Sequence, residues 1–182
     1  MEIIYKRSIT DEELYQILEL QLKNIPTSIS EDEKLQEGFV TVRHDFKSLK
    51  SMNDKCAHII AVYDESVVGY AISMVKDFKD DIAVLKPMFT YIENHTPDTL
   101  KYIAMGQICV DKKFRKQGVF RGLYNKMKQE LNLEYDAIIT EVDKTNTRSL
   151  NAHYAIGFKE LYSYRSKNQD WEILIWDIKT IN

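Results

Sequence analysis

The segment from Tyr102 to Val142 constrains this fold more than any other part of the chain. It reads as an apolar strand over Tyr102–Val110, a basic loop, and a helix over about 119–133. A second apolar strand follows over Ala137–Val142. The helix carries Phe120, Leu123, Met127 and Leu131 on one face. A strand, helix and strand with connections this short form one crossover unit, so its two strands run parallel. Two further pairs of strands turn back on themselves. Residues 58–63 and 67–75 flank Asp64-Glu65-Ser66, and 158–164 and 171–178 flank Asn168-Gln169-Asp170, each predicting a hairpin. The sheet is therefore mixed.

The remaining elements surround it. Residues 3–6 read as a short strand. Thr10 and Glu13 form a capping box that opens a helix with Leu14, Ile17, Leu18 and Leu22 as its apolar positions, ending near Asn24 before Pro26. A second helix is predicted over Val40–Met52, from the recurrence of Phe39, Val42, Phe46, Leu49 and Met52. Met88–Ile92 reads as helical, with a loop over 94–98. A last helix over Arg148–Ile156 closes at Gly157, a residue suited to left-handed geometry. No repeat or linker interrupts the chain. The expectation is one α/β (α+β) domain over 1–182, a mixed central sheet flanked by helices.

Charge and composition narrow the function classes. The 25 Lys and Arg against 28 Asp and Glu give a net charge of −3, against a dedicated nucleic-acid binder. No apolar run approaches the roughly 18 residues that a membrane span needs, and the start of the chain lacks the pattern of a secretory signal. Two cysteines, Cys56 and Cys109, are too few for a disulfide framework and have no partner at metal-ligand spacing. A cytoplasmic protein with no metal is the expectation. One local departure stands out. Lys112, Lys113, Arg115, Lys116, Arg121, Lys126 and Lys128 follow one another with no acidic residue between them. A basic patch on an acidic chain suits a small polyanion bound at one place.

The loop ahead of the helix has the chemistry for that polyanion. A buried strand leads through Arg115-Lys116-Gln117-Gly118-Val119-Phe120-Arg121 directly into a helix, whose first amides are unpaired and carry a partial positive charge. Glycine at 118 leaves room for a phosphate against the backbone. No Gly-Lys-Ser/Thr follows, so this is not a Walker loop, and Gly118 with Gly122 does not make a dinucleotide fingerprint.

Here the sequence resembles the GNAT superfamily of acyl-CoA-dependent N-acyltransferases. Arg115-Lys116-Gln117-Gly118-Val119-Phe120 matches the family's Gln/Arg-x-x-Gly-x-Gly/Ala, with Phe120 where Gly or Ala is usual. A second block, from Glu141 through Asn146 and His153 to Gly157-Phe158, resembles the family's strand, Asn, helix and closing Gly-Phe. The resemblance implies a sheet whose two parallel strands splay apart. It places the pantetheine arm of acetyl-CoA along Ile108, Cys109 and Val110. The pyrophosphate would lie on the amides of Lys116, Gln117, Gly118, Val119, Phe120 and Arg121, with Asn146 opposite and with charge from Arg115, Lys116 and Arg121. The partners it implies are acetyl-CoA and an amine acceptor; charge and hydropathy speak for no nucleic acid and no membrane, and a homodimer is left open.

Acyl transfer to an amine needs a neutral amine, a polarised carbonyl and alignment of the two reactants, the last worth about 7–11 kcal/mol. A general acid for the departing thiolate falls in the family on a Tyr four residues before the Gly of Gly-Phe. Here that position is His153, followed by Tyr154, and both stay candidates. The candidate base is Glu141, a carboxylate on the same strand face as Ala137 and Ile139, where burial would raise its pKa. Arg43-His44-Asp45 reads as surface or helix-end chemistry. Glu31, Asp32, Glu33 and Glu37 would attract a cationic acceptor, and Tyr162 and Tyr164 would line its pocket. A non-catalytic acyl-CoA-binding domain is the alternative.

Overall fold

The computed structural model describes residues 2–28, 30, 39–40, 42–82 and 85–179. Seven strands form one sheet: β1 (Ile4–Arg7), β2 (Ile59–Tyr63), β3 (Ser66–Met74), β4 (Tyr102–Val110), β5 (Ala137–Asp143), β6 (Lys159–Ser166) and β7 (Gln169–Asp177). Their spatial order is β1-β2-β3-β4-β5-β7-β6. The β4–β5 pair is parallel and the other neighbours are antiparallel. Among the described residues five α-helices flank the sheet: α1 (Asp11–Leu22), α2 (Phe46–Lys55), α3 (Lys86–His95), α4 (Val119–Leu131) and α5 (Thr147–Ile156).

The helices divide between two cores. Leu14 and Ile17 of α1, Leu49 and Met52 of α2, and Met88, Phe89 and Ile92 of α3 bury one face with Ile60, Tyr70, Ile72, Ile139 and Ile173. On the other face, Leu123, Tyr124 and Met127 of α4 and Leu150 of α5 pack on Ile59, Ala71, Ile103, Ile138 and Leu174. The period-2 alternation of the strands is what separates these sets. Over the close approach of β1 to α4 the ring of Tyr5 takes the space a Cβ would need at Gly122.

Two features of β4 open the sheet. Ile72 pairs with Gln107 and Ser73 with Met105, so Gly106 is an extra, bulged residue. The bulge reverses the alternation: Met105 and Ile108 both face the α4 side, while Gln107 and Cys109 face α1. Pairing with β5 then covers only Tyr102, Ile103 and Ala104. A bond from the Thr140 hydroxyl to the Met105 carbonyl, 2.9 Å, closes the pairing. Beyond it β4 stays with β3 and β5 stays with β7, and the two parallel strands diverge.

Two helix boundaries and one burial pattern differ most from the sequence reading. The second helix begins at Phe46 rather than Val40, because the Asp45 carboxylate accepts from Ser48 N at 2.7 Å and caps it there. The third runs Lys86–His95, longer than Met88–Ile92, with Pro87 in its first turn. In α1 the buried positions are Leu14, Ile17, Leu20 and Gln21; Leu22 is exposed. The acidic residues Glu31, Asp32, Glu33 and Glu37 lie outside the described residues.

Candidate active site

The loop from β4 to α4 is built for close approach. Asp111 caps the short turn Lys112–Phe114 through Lys113 N, 2.9 Å, and Phe114 packs on Tyr63. Lys116 and Gly118 both take positive φ, +60° and +82°. A Cβ at Gly118 would meet nothing within 4 Å, so the space in front of the helix terminus is open. The first α4 amide to find a helical carbonyl is that of Gly122, bonded to Gly118 O at 2.9 Å; the amides of Val119, Phe120 and Arg121 precede it. Phe120 does not plug the turn. Its ring packs edge-on against Tyr124 and His153, at 5.2 and 5.1 Å between centroids.

A cavity of about 280 Å³ runs from this turn to the opened edge of β4. Ile108, Cys109, Val110, Arg115, Lys116, Gly118, Val119, Phe120, Arg121 and Asn146 border it. Gln117 does not; its amide donates to the Lys113 carbonyl at 2.7 Å and holds the turn. The basic side chains here also have partners within the protein. Arg115 donates to Val110 O and to the Asn24 side chain at 3.1 and 2.6 Å, and Arg121 donates to Ala155 O at 2.9 Å. Asn146 caps α5 by accepting from Ser149 N and donates to Phe39 O, so it ties the cavity wall to both. Burial pushes the Cys109 thiol up to about 12, which keeps it protonated and unreactive.

A second, smaller cavity of about 70 Å³ lies in the gap between β4 and β5 and shares Phe39, Val40, Ile108, Asn146 and Ser149 with the first. Glu141, His153, Gln107, Thr140 and Trp171 border it. Burial raises the Glu141 carboxyl to about 7, opposed by a hydrogen bond of 2.5 Å from the Tyr164 hydroxyl. His153 is buried and neutral, its pKa lowered to about 4 by burial. Its Nδ1 lies 2.7 Å from Ser149 O and its Nε2 2.7 Å from the Tyr124 hydroxyl, so Nδ1 carries the proton and Nε2 accepts. Tyr154 borders neither cavity. On a helix the next residue turns by about 100°, and Tyr154 is 42 % exposed with its hydroxyl donating to Glu172.

A buried polar network, missed in the sequence, forms the rest of this wall. Gln107 Oε1 accepts from the Tyr70 hydroxyl at 2.6 Å and from Gln21 Nε2 at 2.9 Å, and Gln107 Nε2 donates to Val42 O at 2.6 Å. Gln21 Oε1 accepts from His44 N at 2.9 Å. The 42–44 segment is thereby strapped onto β4. Of Arg43-His44-Asp45, Arg43 and Asp45 are exposed and Asp45 caps α2, as surface or helix-end chemistry requires, whereas His44 is buried with its pKa lowered by burial to about 4. One signal was legible, a glutamine at 21 on the face that carries Leu14 and Ile17. Tyr162 stacks on Tyr91 of α3 at 4.9 Å, and Tyr164 packs against the same ring at a tilt, 4.5 Å between centroids.

A mixed sheet parted between two parallel strands, with a helix terminus aimed at the opening, is the class of fold these elements build. The chain belongs to the acetyltransferase (GNAT) family, whose model matches residues 13–158. Solved structures share the fold. The ribosomal-protein-S18-alanine N-acetyltransferase of Escherichia coli is similar at 14 % identity and TM-score 0.67, covering 100 % of this chain and 97 % of that one. Ard1 of Thermoplasma volcanium is similar at 10 % and 0.68, covering 97 % and 98 %. Arabidopsis thaliana Naa50, in complex with the bisubstrate analogue CoA-Ac-MVNAL, is similar at 12 % and 0.66, covering 97 % and 99 %. No curated protein matches this chain in sequence. Among the described residues no group of three or more His, Cys, Asp or Glu is placed to hold a metal ion, and no helix is long and apolar enough to cross a membrane.

Proposed function

We propose that this protein is an N-acetyltransferase that moves an acetyl group from acetyl-CoA to a primary amine of a small molecule or peptide. The observation that carries the reading is the larger cavity, which joins the open helix terminus at Gly118 to the unpaired edge of β4 and continues into the gap beside Glu141. Residues around Gly118 fit a diphosphate, since three helix-start amides and an open backbone face one space. Ile108, Cys109 and Val110 offer a strand edge to an amide-containing arm. When bound, acetyl-CoA supplies an activated acetyl thioester.

The chain's own residues do the rest. Glu141 accepts the proton of the acceptor ammonium: with a pKa of about 7 it is half ionised at neutral pH, close to the optimum for a base. Gln107 ties the 42–44 segment to β4, and Thr140 ties β5 to β4 where the two strands begin to diverge. Of the two acid candidates only His153 borders a cavity, but its one proton is held by Ser149 O and its Nε2 accepts from Tyr124, so it orders the cavity wall rather than protonating the leaving group. A thiolate with an ordinary pKa of about 8.5 departs readily without help.

The test is release of CoA thiol from acetyl-CoA in the presence of free-N-terminus peptides, amino acids and polyamines. Amine-dependent release with at least one class is the expected result. Glu141→Gln should lower kcat by about 100-fold and His153→Phe by tenfold or less. Tight acetyl-CoA binding without release against any amine would leave the chain a binding domain and overturn the enzymatic reading.

A further inference from the structure

The carboxyl of Glu141 must be held in one orientation, and ionised, if it is to take a proton from the smaller cavity. Its strand does not hold it there. Among the described residues its hydrogen bond comes from two strands away, where Tyr164 of β6 reaches over β7 to donate to Oε2 at 2.5 Å. Tyr164 is 8 % exposed. Its ring lies against Tyr91 of α3, 4.5 Å between centroids; Tyr91 also stacks on Tyr162, and Tyr162 on His95 at 3.9 Å. Four aromatic rings therefore brace one hydroxyl against one carboxylate. A neutral tyrosine has a single proton to give, and a bond this short with a buried acceptor favours the ionised carboxylate.

We propose that Tyr164 is a positioning residue for acyl transfer: its hydroxyl, fixed by the stack on Tyr91, turns the Glu141 carboxylate toward the cavity and sets the pH above which that carboxylate accepts a proton. The proposal rests on the reading of Glu141 as the base. The other groups facing this site are few. Asp143, on the same strand face, is occupied by Thr145 and by Gln169, and His153 of α5 is bonded to Ser149 and Tyr124. His95 of α3 stands behind Tyr162. From α1 and β4, Gln21 and Gln107 are uncharged, and His44 is buried and neutral. Tyr164 is thus the polar group that tunes Glu141, and burial together with the facing carboxylate raises its own pKa, so it stays a donor through the working range.

The test separates the coupling from the catalysis. The Glu141 carboxyl is titrated by carbon NMR on glutamate-labelled protein, its signal assigned by loss in Glu141→Gln, in the wild type and in Tyr164→Phe, which keeps the ring stack. The titration should move up by roughly one pH unit in Tyr164→Phe. Tyr91→Leu, which keeps the hydroxyl and removes its brace, should move it the same way by less. The acid limb of kcat/KM should follow, giving about a fivefold loss at pH 7, relative to wild type, that disappears near pH 9. An unmoved carboxyl titration in both variants overturns the proposal. A moved titration with an unmoved rate profile sustains the coupling and overturns the base reading instead.

Discussion

Glu141 sits in a place that favours its protonated form. Its pKa of about 7 lies above the ordinary value of 4.5, so the folded state holds this proton more tightly than the unfolded chain, and stability falls as pH rises from about 4.5 to 7. Glu141→Gln removes the charge and keeps an oxygen for Tyr164. It should therefore stabilise the protein by about 2–3 kcal/mol at pH 8 and by little at pH 4, while lowering activity. Thermal unfolding at the two pH values checks this; equal midpoint shifts at both would show that the carboxyl is not buried at a cost. Gly118 makes a complementary case. A residue with a Cβ at φ +82° costs about 1–2 kcal/mol although nothing there clashes. Gly118→Val should lose that much stability and weaken acetyl-CoA binding at least tenfold, measured by denaturant titration and calorimetry. Undiminished affinity would place the phosphates elsewhere. The sequence revealed both residues because each breaks a local pattern: a carboxylate on an apolar strand face, and a glycine opening a helix.

At the scale of elements, periodicity and caps located the strands and helices of the described residues to within a few residues at most ends, since each rests on short-range physics. Elements set by distant partners were not legible. The bulge at Gly106 depends on pairing with Ile72 and Ser73, and the 42–44 strap depends on Gln107, 65 residues from Val42. Apolar residues at three- and four-residue steps extended the second helix backward through that strap, where Asp45 stops it. In the wall of the smaller cavity, Gln107 is the joint between α1, β3, β4 and the strap. Gln107→Leu would strand the fully buried Tyr70 hydroxyl and one amide of Gln21, costing about 2–4 kcal/mol, and would free 42–44 from β4. A fall in the denaturant midpoint together with a raised KM for the acceptor is the expected result. A loss below about 0.5 kcal/mol would mean that the network is not satisfied as described.

Taken whole, the molecule carries three buried histidines, His44, His58 and His153, each with its pKa lowered to about 4 by burial. For a histidine depressed in the folded state the unfolded chain binds the proton first, so stability is lost as pH falls from about 6.5 toward 4. Glu141 opposes this over part of the range, one group against three. Unfolding free energy should drop by several kcal/mol between pH 7 and 4.5; a flat profile would show the histidines reached by water. The two cores, the splay and the cavities depend together on one arrangement of strands, in which a strand edge and a helix terminus share a space. The account stands on that space holding a diphosphate and its attached arm. Isothermal calorimetry with acetyl-CoA tests it most directly: one saturable site per chain, about micromolar in affinity and weakened by Gly118→Val, is the predicted result. No heat of binding at millimolar acetyl-CoA would contradict it.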